Sequence, residues 1–157
     1  MYKRILAPLD GSEFSECSLE HVRAIATGCN VPKVVLLRIV EPLRETYEMG
    51  EDWRLNTEAK TQAEANDYLS KVADNLKKDG VAAETVIETV TLQGNAAYEI
   101  LEYADKNQVD LIIMSTHGRS GISRWVFGSV ADRVLRHSPV PVLVISPAGC
   151  RSGEARG

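Results

Sequence analysis

A doubly wound α/β fold is what the sequence predicts: one domain built on a five-stranded parallel sheet with helices on both faces. Three observations carry this. Five short apolar runs are spaced along the chain, four of them are near-continuous in Val, Ile and Leu, and amphipathic helical stretches separate them. Strands covered on both faces read as continuous apolar runs rather than strict alternations. Regular alternation of strand and helix gives parallel strands joined by right-handed crossovers.

The strands are expected at residues 4–9, 33–40, 82–90, 110–115 and 140–145. The third, AAETVIETV, alternates more than the others and is placed at a sheet edge. The first helix is expected from Ser12 to about Thr27, with Phe14, Cys17, Val22 and Ile25 near one face. The second runs from about Asp52 to Lys78, with Ala59, Ala63, Leu69, Val72 and Leu76 on a stripe and Gly80 ending it. The third spans Asn95 to about Lys106, and the fourth Gly128 to about His137, with Val130, Val134 and Leu135 inward. Asn95 and Ser129 are natural N-caps, and Ser129 with Asp132 has the spacing of a capping box. The charged stretch from Glu41 to Glu51 reads as a connector.

A chain of 157 residues suits one domain and buries roughly 70% of its unfolded surface, enough to fold without disulfide or metal. Residues 1–147 are assigned to that domain, and the polar, Gly-rich stretch 148–157 is expected to be a disordered tail. The net charge of −4 and the 6% aromatic content argue against a nucleic-acid partner, which needs basic surface and stacking rings. No run of about 18 apolar residues is present, so no membrane span is expected. The apolar stretch near the N-terminus is too short for a signal peptide. Cys17, Cys29 and Cys150 lack metal-ligand spacing and are odd in number, so reduced thiols and a cytoplasmic location are expected.

Ligands of open α/β sheets bind beyond the carboxyl ends of the strands, where strand order switches. Two loops there stand out. One is Pro8-Leu9-Asp10-Gly11-Ser12; Asp10, with Glu13 and Glu16 behind it, repels phosphate but suits ribose hydroxyls or an exocyclic amine. The other runs from Met114 through Ser115, Thr116, His117, Gly118, Arg119 and Arg124 to Gly128 and Ser129. Its glycines permit close backbone approach, and free N–H groups at the following helix start form an anion seat. Sugar and base thus belong near Asp10, phosphates near Gly118 and Gly128-Ser129. Taken singly, each feature is also an ordinary turn or cap. His21 and His137 read as solvated or structural, and Ser12 as an N-cap.

The second loop resembles the universal stress protein family, whose nucleotide-binding members carry G-x-x-G, nine residues, then G-[ST]. Here Ser115-Thr116-His117-Gly118 is followed by Arg119 to Phe127 and then Gly128-Ser129, with Ser115 standing where the motif has its first glycine. APLDGS, VVLLRIVEP, DLIIMSTHGRSG and SPVPVLVI are also similar to that family, so the resemblance covers the chain to Pro147. It implies a strand order of 3-2-1-4-5 and an ATP-binding regulatory protein of the stress response, with AMP and ADP as related ligands. The implied nucleotide contacts are Pro8, Leu9, Asp10 and Ile39, then Met114, Ser115, His117, Gly118 and Arg119, then Gly128, Ser129 and Val130. Ile39 and Met114 would flank adenine, Asp10 would hold ribose or adenine, and Arg119 would add charge at the outer phosphate. Mg²⁺ or Mn²⁺ would accompany a triphosphate, held mostly by phosphate and water.

The last strand, Val140 to Ile145, is apolar and expected at a sheet edge, with Pro139 and Pro141 blunting only one end. The resemblance implies a homodimer through it. Slow or no ATP hydrolysis is expected, since only Asp10 offers itself to position water and it is assigned far from the outer phosphate. A dimeric stress-associated interaction module without nucleotide is the alternative, and Ser115 is the feature that allows it. An adenylating enzyme is disfavoured, because acids rather than a glycine-rich phosphate loop follow the first strand.

Overall fold

The structure, a computed structural model, describes residues 1–43, 50–116 and 128–146. The strands are β1 (Arg4–Pro8), β2 (Lys33–Val40), β3 (Val86–Gln93), β4 (Leu111–Ser115) and β5 (Val142–Ile145). The helices are α1 (Glu13–Glu16), α2 (Ser18–Gly28), α3 (Glu51–Lys78), α4 (Ala96–Lys106) and α5 (Ser129–His137). The strands form one parallel sheet of order β3-β2-β1-β4-β5, the order implied from the sequence.

The continuous apolar runs are explained by the two faces they supply. Ile5, Ala7, Val34, Leu36, Leu111 and Ile113 pack with α2 and α3 residues such as Val22, Ala26, Leu69 and Leu76. Leu6, Val35, Leu37, Ile112 and Met114 pack on the other face with Ala97, Ile100, Ala104, Ala131 and Val134 of α4 and α5. Successive side chains along a strand point to opposite faces, so the central positions of the three inner strands, residues 5–7, 34–37 and 111–114, are buried by one layer or the other. Each fully buried Leu, Ile or Val contributes about 1.5–3 kcal/mol relative to exposure.

Several expected boundaries and faces differ from those observed. The Ser12–Thr27 stretch is not one helix but two, broken at Cys17. The Ser15 hydroxyl donates to the Ser12 carbonyl and the Ser18 hydroxyl to the Ser15 carbonyl, both at 2.8 Å. Such side-chain bonds compete with the helical ladder. The fully buried positions here are Ser15, Ser18, Val22 and Ala26, with Ile25 packed partly buried against the same core and Phe14 and Cys17 outside it; small residues let the helices lie close on the sheet. In α3, Ala59 and Ala63 are exposed, and the buried stripe is Ala65, Leu69, Val72, Ala73 and Leu76. In α5, Leu135 is exposed while Ala131 and Val134 are buried.

β3 begins four residues later than expected and extends to Gln93. Residues 82–85 form a turn closed by the Thr85 N–H to the Ala82 carbonyl at 2.9 Å, and the Thr85 hydroxyl donates to the Val31 carbonyl at 2.8 Å. Gly94 then leaves the strand at φ +150°, a backbone conformation that side-chain-bearing residues rarely adopt. Cys29 is a free thiol as expected, whereas Cys17 is disulfide-bonded and departs from the expectation of reduced thiols. The tail 148–157 and most of the 41–51 connector lie outside the described residues.

Candidate functional site

Strand order reverses between β1 and β4, and the carboxyl ends of β1, β2 and β4 meet there. A cavity of about 450 Å³ opens at this point, within the range of small-molecule sites. Of the residues singled out from sequence, Pro8, Leu9, Asp10, Ile39, Met114, Ser115, Gly128, Ser129 and Val130 line it together. His117, Gly118 and Arg119 lie outside the described residues.

The floor is set by the sheet. The Leu9 N–H donates to the Leu37 carbonyl at 2.8 Å, carrying the β1 pairing one residue past the strand and setting Asp10 at the rim. The Asp10 turn is then fixed from both sides. Asp10 Oδ1 accepts from the Ser12 N–H at 2.8 Å and from the Ser12 hydroxyl at 2.5 Å. The Asp10 N–H donates to Ser15 Oγ at 3.3 Å, and Ser12 Oγ accepts from the Ser15 N–H at 3.2 Å as the N-cap of α1. Gly11 sits at φ +85°, a conformation that costs a side-chain-bearing residue on the order of 1–2 kcal/mol. Ser12 is thus a cap, as read from sequence, and it also holds the Asp10 carboxylate.

The opposite rim is the start of α5. The Gly128 N–H donates to the Thr116 carbonyl at 2.8 Å, which ties this helix to the end of β4. The N-cap is Gly128, not Ser129, and among the described residues no side chain caps the helix. The expected Ser129–Asp132 box does not form, because Asp132 turns to Arg136, whose Nε donates to its two oxygens at 3.0 and 3.1 Å. Among the described residues, then, no side-chain cap takes up the first-turn N–H groups of α5. A helix start of this kind favours an anion through unsatisfied donors and the helix dipole.

Two walls complete the cavity. Ala96 and Ile100 of α4 with Val130 and Ala131 of α5 make an apolar one. Ser15, Arg38 and Thr61 join Asp10 on the other. Sequence reasoning missed these three. It placed cations only on the loop after β4, and Arg38 adds one on the Asp10 side. The signal for Arg38 was its position two residues beyond Leu36 in β2, on the α3 face at the strand's carboxyl end. The signal for Thr61 was its place one turn before Ala65. Behind this wall the Tyr68 hydroxyl donates to Glu16 Oε1 at 2.8 Å. Burial, reinforced by that bond and the Glu16 charge, pushes the Tyr68 phenol well above its ordinary value. Among the described residues, no cluster of three or more His, Cys, Asp or Glu is arranged to hold a metal ion.

Fold and cavity together define a doubly wound α/β protein with a ligand-sized cleft at the topological switch point and a polar and an apolar wall. The comparisons give the family. The Universal stress protein family model matches residues 1–146, and the chain belongs to that family. Universal stress protein MJ0531 of Methanocaldococcus jannaschii is 35% identical over 146 residues, spanning 92% of this chain and 82% of that one. The solved structure of MJ0577, from the same organism, superposes with a TM-score of 0.80 at 30% identity, covering 98% of this chain and 99% of that one. A universal stress protein solved in complex with cAMP superposes with a TM-score of 0.68 at 25% identity, covering 92% of this chain and 97% of that one.

Proposed function

We propose that this chain binds an adenine nucleotide, ATP foremost, in the switch-point cavity, and that it acts as a regulatory protein of the stress response with slow or no hydrolysis. The observation that carries the reading is the opposition across one cavity of a rigidly held Asp10 and a helix start without a side-chain cap. The carboxylate accepts from ribose or amine donors, and the N–H groups of Gly128, Ser129 and Val130 receive phosphate. Ile39 and Met114 offer apolar surface to the base between them. Ser115, His117, Gly118 and Arg119 complete the phosphate side in this reading. The cAMP complex of a relative 25% identical to this chain supports the ligand class.

The residues at hand do not form a metal cage, so a divalent ion such as Mg²⁺ or Mn²⁺ enters with the triphosphate, coordinated by phosphate oxygens and water. Its contribution when bound is charge neutralisation between the phosphates. The chain's own part is to hold the nucleotide, not to position an attacking water.

β5 pairs with β4 and forms one edge of the sheet, and a second copy of the chain pairs along it in this reading. Among the described residues no helix is long and apolar enough to cross a membrane. Isothermal titration with ATP, AMP and cAMP tests the nucleotide reading. Heat is expected from the parent protein and none from Ile39→Trp, which fills the base end of the cavity. No heat from the parent with any of the three overturns it. Light scattering on the eluting peak is expected to give the mass of a dimer.

A further inference from the structure

α3 is one helix with two unequal halves. Residues 65–76 supply Ala65, Leu69, Val72, Ala73 and Leu76 to the core, and Tyr68 is bonded to Glu16. Residues 51–64 contain no buried side chain, and Trp53 and Leu55 are half exposed. At 1.5 Å per residue this overhang is about 20 Å long. A helix without a packed face is marginal at that length.

The local chemistry loosens it further. The Thr57 hydroxyl donates to the Trp53 carbonyl and the Thr61 hydroxyl to the Thr57 carbonyl, both at 2.8 Å. Such i−4 back-bonds weaken and bend a helix. The Lys60–Glu64 pair at 3.9 Å is solvent-facing and adds little, and the Arg54–Glu58 pair at 3.2 Å is only partly buried. Thr61 lies within the overhang, one turn before the first buried residue, Ala65, and it is the α3 residue that lines the cavity.

We propose that Thr61 contacts the bound nucleotide and that occupancy of the cavity orders residues 51–64. The inference rests on the nucleotide reading above and extends it to a consequence of binding. A ligand that touches the helical form and not the frayed one stabilises the former by mass action. The loaded and empty proteins then differ over the surface that carries Trp53 and Leu55, which gives a nucleotide-binding regulator an outward sign of its state.

Hydrogen exchange read by mass spectrometry, run beside calorimetry on the same sample, is the test. With saturating ATP, amides of 51–64 are expected to exchange on the order of tenfold more slowly, with a smaller change over 69–78. Thr61→Val keeps the branched side chain and removes the hydroxyl. It is expected to weaken ATP binding by about 3–10-fold, the loss of one neutral hydrogen bond, and to lose the protection of 51–64 even at saturation. Heat of binding without slower exchange in 51–64, or protection of the variant equal to the parent's, overturns this proposal alone. Absence of heat from the parent overturns it together with the nucleotide reading.

Discussion

The two walls of the cavity are made from different material, and the difference separates what holds the protein together from what orients a ligand. The α4–α5 wall is apolar: Ile100 and Ala131 line the cavity and belong at the same time to the core cluster under the sheet. The wall of Asp10, Ser15, Arg38 and Thr61 is polar, and Asp10, Ser15 and Thr61 are held in it by hydrogen bonds. Changes in the first wall should register chiefly as stability, changes in the second chiefly as affinity and selectivity.

The largest expected effect is in the apolar wall. Ile100→Ala removes a buried aliphatic side chain and should cost about 2–5 kcal/mol in urea unfolding. Next is Asp10→Ala. It removes the acceptor of two Ser12 bonds, and in the nucleotide reading it lowers ATP affinity by about 10–100-fold, as for a charged hydrogen-bond partner. Calorimetry checks this, and an unchanged affinity would remove Asp10 from the ligand's contacts. Ser15→Ala is smaller. The buried hydroxyl that receives the Asp10 N–H and bonds the Ser12 carbonyl is lost, at about 1–2 kcal/mol, with Ser15→Gly expected to be no milder. If the wall works through Asp10, the Ser15→Ala protein also discriminates less between ATP and 2′-deoxy-ATP.

The smallest effect lies behind the polar wall. Tyr68→Phe removes the bond to Glu16 and should cost about 1 kcal/mol near neutral pH. The phenol is raised in the folded state, so its contribution is fully present below the unfolded value of about 10 and is lost as pH climbs from there toward the folded value. Parent protein should therefore lose stability over that alkaline window. The Phe variant should lose less, which thermal melts at stepped pH would show.

The contrast between the walls also marks what could be read from sequence. Strand order came with the family resemblance, whereas the site's corner was legible because the runs of β1, β2 and β4 are near-continuous in apolar residues and because Asp10 follows β1, Met114 lies near the end of β4 and Gly128 begins a helix. β3 was misplaced because an edge strand needs only one apolar face, and TVIETV slides in register without penalty until Thr85 is seen closing its turn onto Val31. The N-cap of α5 was misassigned because nothing local says that Asp132 will choose Arg136 over the helix start. Ser15, Arg38 and Thr61 were missed for one reason: each is brought to the cavity by packing of its element on the sheet, not by a loop that announces itself. The single helix expected from Ser12 failed on the two serine hydroxyls, whose preference for nearby carbonyls is visible only when both sit against the sheet.

The zero-exposure residues of β1, β2 and β4, among them Ile5, Leu6, Leu36, Leu37, Ile112 and Ile113, stop one to three positions short of the strand ends, and of these six Leu37 alone lines the cavity. The scaffold and the ligand seat are consecutive along the chain, and the side chains that serve both, such as Leu9, Leu37, Ile100, Met114 and Ala131, are apolar. A lineage can therefore exchange Asp10, Arg38, Ile39 or Ser115 and redirect what the protein holds while the interleaved aliphatic stack beneath them stays as it is, so that one chassis can serve many chemical messages.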